Sequence, residues 1–279
     1  SLIENCNYEF RLATKDPDGN CTNGIDRIAS YKTYAADDQS KLNIWNPTYY
    51  FNVWVVNTIG KSGVAGYAYK PATADMIYYY DGVLILHDYI GSIGTGIPAW
   101  SRALTHEIGH CFNLDHTWGS TNNPGVSCGD DNVLDTPPTK GHMQCLLQDS
   151  TCTPGVIENV QNYMEYAYCS NMFTKGQALR MDITLANSVA QRSSLHSALA
   201  YQFTGCNDPR PDCTPVGDFS VNRQFTCPGN SLTFKNQSFK DTVSSVNWTF
   251  TSDATPVTST STTNASVSFS TFGWKDISS

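Results

Sequence analysis

The stretch HEIGHCFNLDH, residues 106–116, holds three of the chain's six histidines and strongly limits the structure that can surround it. His106 and His110 are four residues apart, so on a helix they share one face, one turn from each other. Two imidazoles so placed can grip one Zn2+ ion, and Glu107 can reach the space beside it. A catalytic zinc takes three protein ligands. His116 lies six residues past His110, where a straight helix would carry it away from the metal. The helix must therefore stop and the chain must turn back. Asn113 stands where that turn is needed, and after Gly, Asn is the residue that best tolerates the left-handed conformation ending a helix.

The flanking sequence fits this reading. PAWSRALTHEIGHCF (98–112) takes a helical pattern, with Leu104, Ile108 and Cys111 on one apolar face and Ser101 as the candidate N-cap. YYFNVWVV (49–56) and DGVLILHDYI (81–90) read as strands, and AGYAYKP (65–71) as a short strand ending at proline. Residues 117–160 are loop-like and need a covalent or functional reason to be ordered. TKGQALRMDITLANSVAQRSSLHSAL (174–199) predicts one or two helices starting near Thr174. After Phe203 the composition shifts, and CNDPRPDCTP (206–215) has linker character. The short alternating segments beyond it, with Ser, Thr and Asn turns, predict a small β-sandwich. The expected organisation is a first domain over 1–205, a linker over 206–213 and an all-β domain over 214–279. That length is short for a sandwich, so the chain is expected to stop inside its last strand.

Composition narrows the setting. Lys and Arg number 17 against 25 Asp and Glu, with no basic stripe, which argues against a nucleic-acid partner. No apolar run reaches the length of a transmembrane segment. The ten cysteines contain no C-x-x-C pair, which points to disulfides and an oxidising compartment. A secreted or cell-surface location is the expectation.

HEIGHCFNLDH resembles the elongated zinc motif of the metzincin metallopeptidases, H-E-x-x-H-x-x-G-x-x-H, with Asn113 at the usual Gly. NYMEY (162–166) is similar to their Met-containing turn, placing Met164 beneath the metal and Tyr166 beside it. With HTWG (116–119) and CGDDNVLDTPP (128–138), the chain resembles the ulilysin-like members of the pappalysin family over about residues 40–203. The resemblance implies an α+β metzincin-type catalytic domain with a twisted mixed sheet and a zinc-binding active-site helix. It implies a secreted zinc endopeptidase that cuts extended peptide segments with a metal-activated water. His106, His110 and His116 would bind zinc, Glu107 would act as general base and then acid, and Tyr166 would stabilise the oxyanion. It also implies structural Ca2+ at Asp131 and Thr136. From the residues alone, Asp130, Asp131 and Asp135 suit either calcium or a solvated turn.

Four cysteines, Cys128, Cys145, Cys152 and Cys169, allow three pairings. The resemblance implies the crossed one, Cys128 with Cys152 and Cys145 with Cys169. Cys6 with Cys21 and Cys213 with Cys227 are expected as local pairs, which leaves Cys111 and Cys206 to each other. DGVLILHDYI is the candidate edge strand for pairing with substrate; the same apolar run also suits a core strand. Ala167 and Tyr168 stand where ulilysin-like members carry an acid at the base of the S1' pocket, so a preference for Arg or Lys is not carried over. Residues beyond 213 resemble polycystic-kidney-disease-type sandwich modules, which serve as spacers or bind surfaces. The rival to a peptidase is a binding or adhesion protein with a vestigial metal domain; the intact Glu107 argues against it, since metal binding alone does not need that acid. A small-amide zinc hydrolase is disfavoured by the Met-turn.

Overall fold

The computed structural model describes residues 3–279. The chain divides into two compact units, one of Ser1–Arg11 with Asp26–Asn207 and one of Leu12–Ile25 with Asp208–Ser279. The expected division, with 1–205 as one continuous domain, differs in its N-terminal part. Residues 12–25 join the second unit because Cys21 pairs with Cys213, across 192 residues of sequence. Lys15 also sits 3.4 Å from Asp208. The local pairs expected for Cys6 with Cys21 and Cys213 with Cys227 are thereby corrected. Cys6, Cys111, Cys206 and Cys227 are thiols, so Cys111 and Cys206 do not bridge either.

In the first unit, β1 (Ile3–Glu4) pairs antiparallel with β5 (Phe173–Thr174). The main sheet contains β2 (Val53–Val56), β3 (Gly66–Ala68) and β4 (Val83–Leu86). Its order is β2-β4-β3, with β2 parallel and β3 antiparallel to β4. β4 is therefore the central strand, and its candidacy as an edge strand is overturned. Val83, Leu84 and Ile85 are all fully buried, which explains an unbroken apolar run: both faces and both edges of the strand are covered. The edge is β3.

Among the described residues the unit's α-helices are α1 (Pro71–Met76), α2 (Ala103–Cys111), α3 (Lys175–Leu185) and α4 (Ala198–Thr204). Proline opens α1, where its missing N–H would have no partner anyway. α2 begins at Ala103 without a side-chain cap, and Ser101 donates to the Pro98 carbonyl instead. Thr174 caps α3 in a reciprocal pair with Gln177. The helical pattern of 174–199 is broken at Ala190 and Gln191, whose φ values are 48° and 58°. Val83 and Ile85 of β4 pack with Cys111, Phe112 and Leu114 at the end of α2 and with Met164, Phe173 and Met181. The sheet thus backs the helix that carries the first two histidines. Between Phe112 and Met172 the described chain has no helix and no ladder strand. Cys128–Cys152 and Cys145–Cys169 cross there, each spanning 24 residues. In chain-entropy terms each closure is worth about 3 kcal/mol, which gives that long loop its covalent reason to be ordered.

The second unit is all-β. β6 (Phe219–Val221), β7 (Ser231–Asn236), β9 (Ala254–Thr255) and β11 (Asn264–Phe269) form one sheet in the order β6-β7-β11-β9. β8 (Trp248–Phe250), β10 (Thr258–Ser259) and β12 (Ile277–Ser278) form another, β10-β8-β12. Alternate residues Leu232, Phe234, Ala265, Val267 and Phe269 meet Trp248 and Phe250 in one core. Trp248, the largest of them, donates its indole N–H to the Ser261 carbonyl at 2.8 Å.

Candidate metal centre

α2 ends after Cys111, and Asn113 takes φ 73°. The Leu114 N–H bonds the Gly109 carbonyl at 2.9 Å, and the Asn113 N–H bonds the His110 carbonyl at 3.0 Å. These two bonds are the Schellman pattern that satisfies the last carbonyls of a helix. The turn swings the chain back, and His116 returns to the face of His106 and His110. Nε2 of His110 lies 3.1 Å from Nε2 of His106 and 3.2 Å from Nε2 of His116.

The donor set fits a zinc ion. Nδ1 of His106 faces the Tyr163 carbonyl at 2.7 Å, and Nδ1 of His110 faces the Leu114 carbonyl at 2.9 Å. A carbonyl only accepts, so both Nδ1 atoms carry the proton and both Nε2 lone pairs point inward. Such lone pairs repel unless a cation lies between them. Two nitrogens bound tetrahedrally at ~2.0–2.1 Å would sit about 3.3 Å apart, close to the observed spacings. Burial, together with the neighbouring imidazoles, holds His106 well below the usual histidine range and His116 down to about 3. Burial lowers His110 as well. All three are therefore neutral and ready to donate a lone pair. His116 lies flat on Trp118, with ring centroids 4.5 Å apart, and this stack fixes its plane.

Glu107 is buried beside the triad, and burial pushes its carboxyl up to about 8; the Ala68 N–H of β3 pulls the other way. A divalent cation at the imidazoles would also favour the carboxylate. Met164 is fully buried in the turn beneath α2. Its N–H bonds Asn162 Oδ1 at 2.9 Å, and the Asn162 amide donates to Gln177 at 2.7 Å. A Cβ on Gly109 would collide with Met164 Sδ, so the helix has Gly where the turn passes under it. Tyr166 is 36% exposed, with its ring 5.5 Å from His106 and 5.0 Å from His116. Burial first, and then the Glu107 charge, raise its phenol to about 12, so it stays a proton donor.

The acidic loop is not one centre. Asp130 accepts from the Asn132 N–H, and Asp131 from the Val133 N–H and the Gln177 amide. Asp135 accepts from the Thr174 hydroxyl and the Gly176 N–H at the start of α3. Thr136 is buried, and its hydroxyl has no partner among the described residues. Arg180 donates to the backbone carbonyls of Asp131 and Asn132.

The family profile described as Peptidase M43, Pregnancy-associated plasma protein-A, matches residues 34–186, more than half of the chain. The chain belongs to the M43, pappalysin-type family of metzincin metallopeptidases. Among solved structures, mirolysin in complex with compound 9 superposes with a TM-score of 0.63 at 31% identity, over 73% of this chain and 80% of that one. Mature mirolysin of Tannerella forsythia with a cleaved peptide gives 0.59 at 34% identity, over 73% and 79%. Extracellular metalloprotease 1 of Coccidioides posadasii is 34% identical over 137 residues, covering 47% of each chain. The extracellular metalloprotease of Arthroderma otae is 30% identical over 181 residues, covering 62% of each. The chain thus spans about half to three fifths of the length of these curated relatives.

Two features of this M43 centre have no strong local signal in sequence. Trp118 follows His116 by two residues, but only the fold shows that it stacks on the imidazole. His142 lies in a loop, and its partners Asp149, Glu158 and Glu165 are spread along the chain after it, so no local spacing marks the group.

Proposed function

We propose that this chain is a secreted zinc endopeptidase that hydrolyses extended protein segments. The observation that carries this reading is the convergence of three neutral imidazoles with a buried carboxylate beside them. When bound, zinc supplies a Lewis acid that polarises the scissile carbonyl and acidifies water. Glu107 takes the proton of the attacking water and later delivers it to the leaving amine. Tyr166 donates its phenol to the developing oxyanion. Substrate lies along the outer edge of β3, whose other edge pairs with β4, and adds to the sheet as a strand. Because the Ala68 N–H on β3 reaches Glu107, strand and base stay in register. Secretion is supported by the disulfides and by the extracellular relatives. The second unit, with its buried Trp strand, is read as a polycystic-kidney-disease-type module acting as a spacer or surface binder. A vestigial metal domain would not keep Glu107 buried against the ligands. Casein digestion with and without a zinc chelator tests the reading: activity lost on chelation and restored by zinc is expected, and digestion untouched by complete zinc removal overturns it.

The primed side of the cleft is read as lacking a free acid. Glu165 accepts from the Thr117 hydroxyl and the His142 N–H, both at 2.6 Å. Glu158 accepts from the Thr139 hydroxyl and the Cys152 N–H. Ala167 is buried and Tyr168 exposed. A Lys or Arg entering S1' would lose water without gaining a partner, which is unfavourable. Digests of proteome-derived peptides, read by mass spectrometry, should show apolar residues accepted after the cut. Cleavage almost entirely before Arg or Lys would defeat this expectation.

Calcium at Asp131 and Thr136 is part of the same proposal. It is supported by the orphaned Thr136 hydroxyl and by the buried Asp131, whose carboxyl burial pushes up to about 6. The sign of the pH effect follows. An acid whose folded pKa exceeds its unfolded value binds more protons when folded, so without a cation it lowers stability as pH rises from about 4 to 6. A bound cation lowers the folded pKa and removes that loss. Calcium should therefore raise the melting temperature most at and above pH 6. At free calcium one hundred times Kd the gain is about 2.7 kcal/mol, or roughly 5–10 °C for a unit of this size. Thermal scans with a calcium-selective chelator check it; an unchanged melting temperature leaves the loop a hydrogen-bonded turn.

A further inference from the structure

The loops between Thr139 and Glu165 enclose a second set of metal-ligating atoms. Nε2 of His142 is 3.0 Å from Asp149 Oδ2 and 3.5 Å from Glu158 Oε2. Its Nδ1 faces Glu165 Oε2 at 3.6 Å. His142, Glu158 and Glu165 are each only 3% exposed. Three carboxylates thus converge on one imidazole. The nearby Lys140 ammonium reaches only Asp149, at 3.6 Å, and is partly exposed. Buried carboxylates are strongly unfavourable unless their charge is met. Glu158 and Glu165 accept hydrogen bonds from neutral donors, and among the described residues His142 is the one side chain able to carry positive charge that lies within 4 Å of them.

Geometry separates a metal site from a hydrogen bond. One Nε2–H can point along a line to one oxygen, yet Nε2 has two carboxylate oxygens within 3.5 Å. Nitrogen and oxygen ligands held ~2.0–2.2 Å from one zinc-like ion lie about 3.0–3.6 Å apart. The three imidazole nitrogens of the catalytic centre show the same spacing, 3.1 and 3.2 Å. The remaining oxygens already have partners of their own. Glu158 Oε1 accepts from the Cys152 N–H at 2.9 Å, and Asp149 Oδ1 from the Thr151 N–H at 3.0 Å. Asp149 Oδ2 and Glu158 Oε2 face the imidazole, and Glu158 Oε2 also accepts from the Thr139 hydroxyl.

We propose that His142 Nε2, Asp149 Oδ2 and Glu158 Oε2 hold a second divalent metal ion of the zinc class. An imidazole with two carboxylates suits such borderline ions, whereas calcium prefers an all-oxygen shell. The ion is structural: it cross-links a disulfide-closed loop that has little apolar core. Through Glu165, which His142 and Thr117 both bind, it also steadies the segment carrying Tyr166 and the chain after His116.

Metal content of the full chain tests this without any reference to activity. After loading with zinc and exhaustive dialysis, mass spectrometry of the metal should give two zinc ions per wild-type chain. A chain with His106, His110 and His116 all changed to Ala should keep one, and X-ray absorption should show a single imidazole in its shell. H142Q should keep only the catalytic ion. Millimolar calcium should leave the second zinc in place. One zinc per wild-type chain, none in the triple variant, or calcium displacing the second ion would each overturn the proposal, whether or not H142Q folds.

Discussion

Changing Glu107 to Gln will lower peptide hydrolysis about 10²–10⁴-fold while zinc remains bound. The three imidazoles are oriented by carbonyls of Tyr163 and Leu114 and by the Trp118 stack, none of which involves Glu107. Gln has nearly the same volume and can still accept from the Ala68 N–H, so the packing beneath β3 survives. What is lost is a group that can take a proton and return it. The expected loss is about 3–5 kcal/mol of transition-state stabilisation. Turnover and zinc content measured on the same sample decide it. A fully loaded variant with near-wild-type turnover would remove Glu107 from the mechanism.

The largest effect on stability will come from a pair remote from the chemistry. Arg192 is buried and donates to both carboxylate oxygens of Asp81, at 2.5 and 2.9 Å. Its Nε donates to the Cys111 carbonyl at 2.9 Å, which anchors the C-terminal end of the active-site helix. Changing Arg192 to Met leaves Asp81 buried without a partner and frees that carbonyl. Breaking one side of a buried pair costs about 3–5 kcal/mol. Replacing both partners with apolar residues should recover much of the loss, because no lone charge is then buried. Urea unfolding followed by tryptophan fluorescence reads the difference. Single variants within about 1 kcal/mol of wild type, well below that range, would show that Asp81 is satisfied by other means.

The sequence by itself determined whatever depends on neighbours a few residues away. The spacing of His106 and His110 needs only the pitch of a helix. The break at Asn113 needs only a residue that tolerates positive φ, and the structure has it at 73°. Thr174 and Gln177 form a capping box three residues apart, so the start of α3 was legible as well. The crossed disulfides were not: four cysteines leave three pairings open, and only the family resemblance pointed to the one formed.

Tertiary structure decided what rests on the path of the chain. VLIL reads the same whether β4 lies at an edge or in the middle; the strands on either side of it made the choice. Cys21 finds Cys213 across 192 residues, and no local spacing records that. Arg192 meets Asp81 from 111 positions away, through a left-handed turn at Ala190 and Gln191. His142 stands alone in sequence but among three carboxylates in space. Periodicity records interactions within one turn or strand, whereas pairing between distant segments is set when the loops close and the core excludes water.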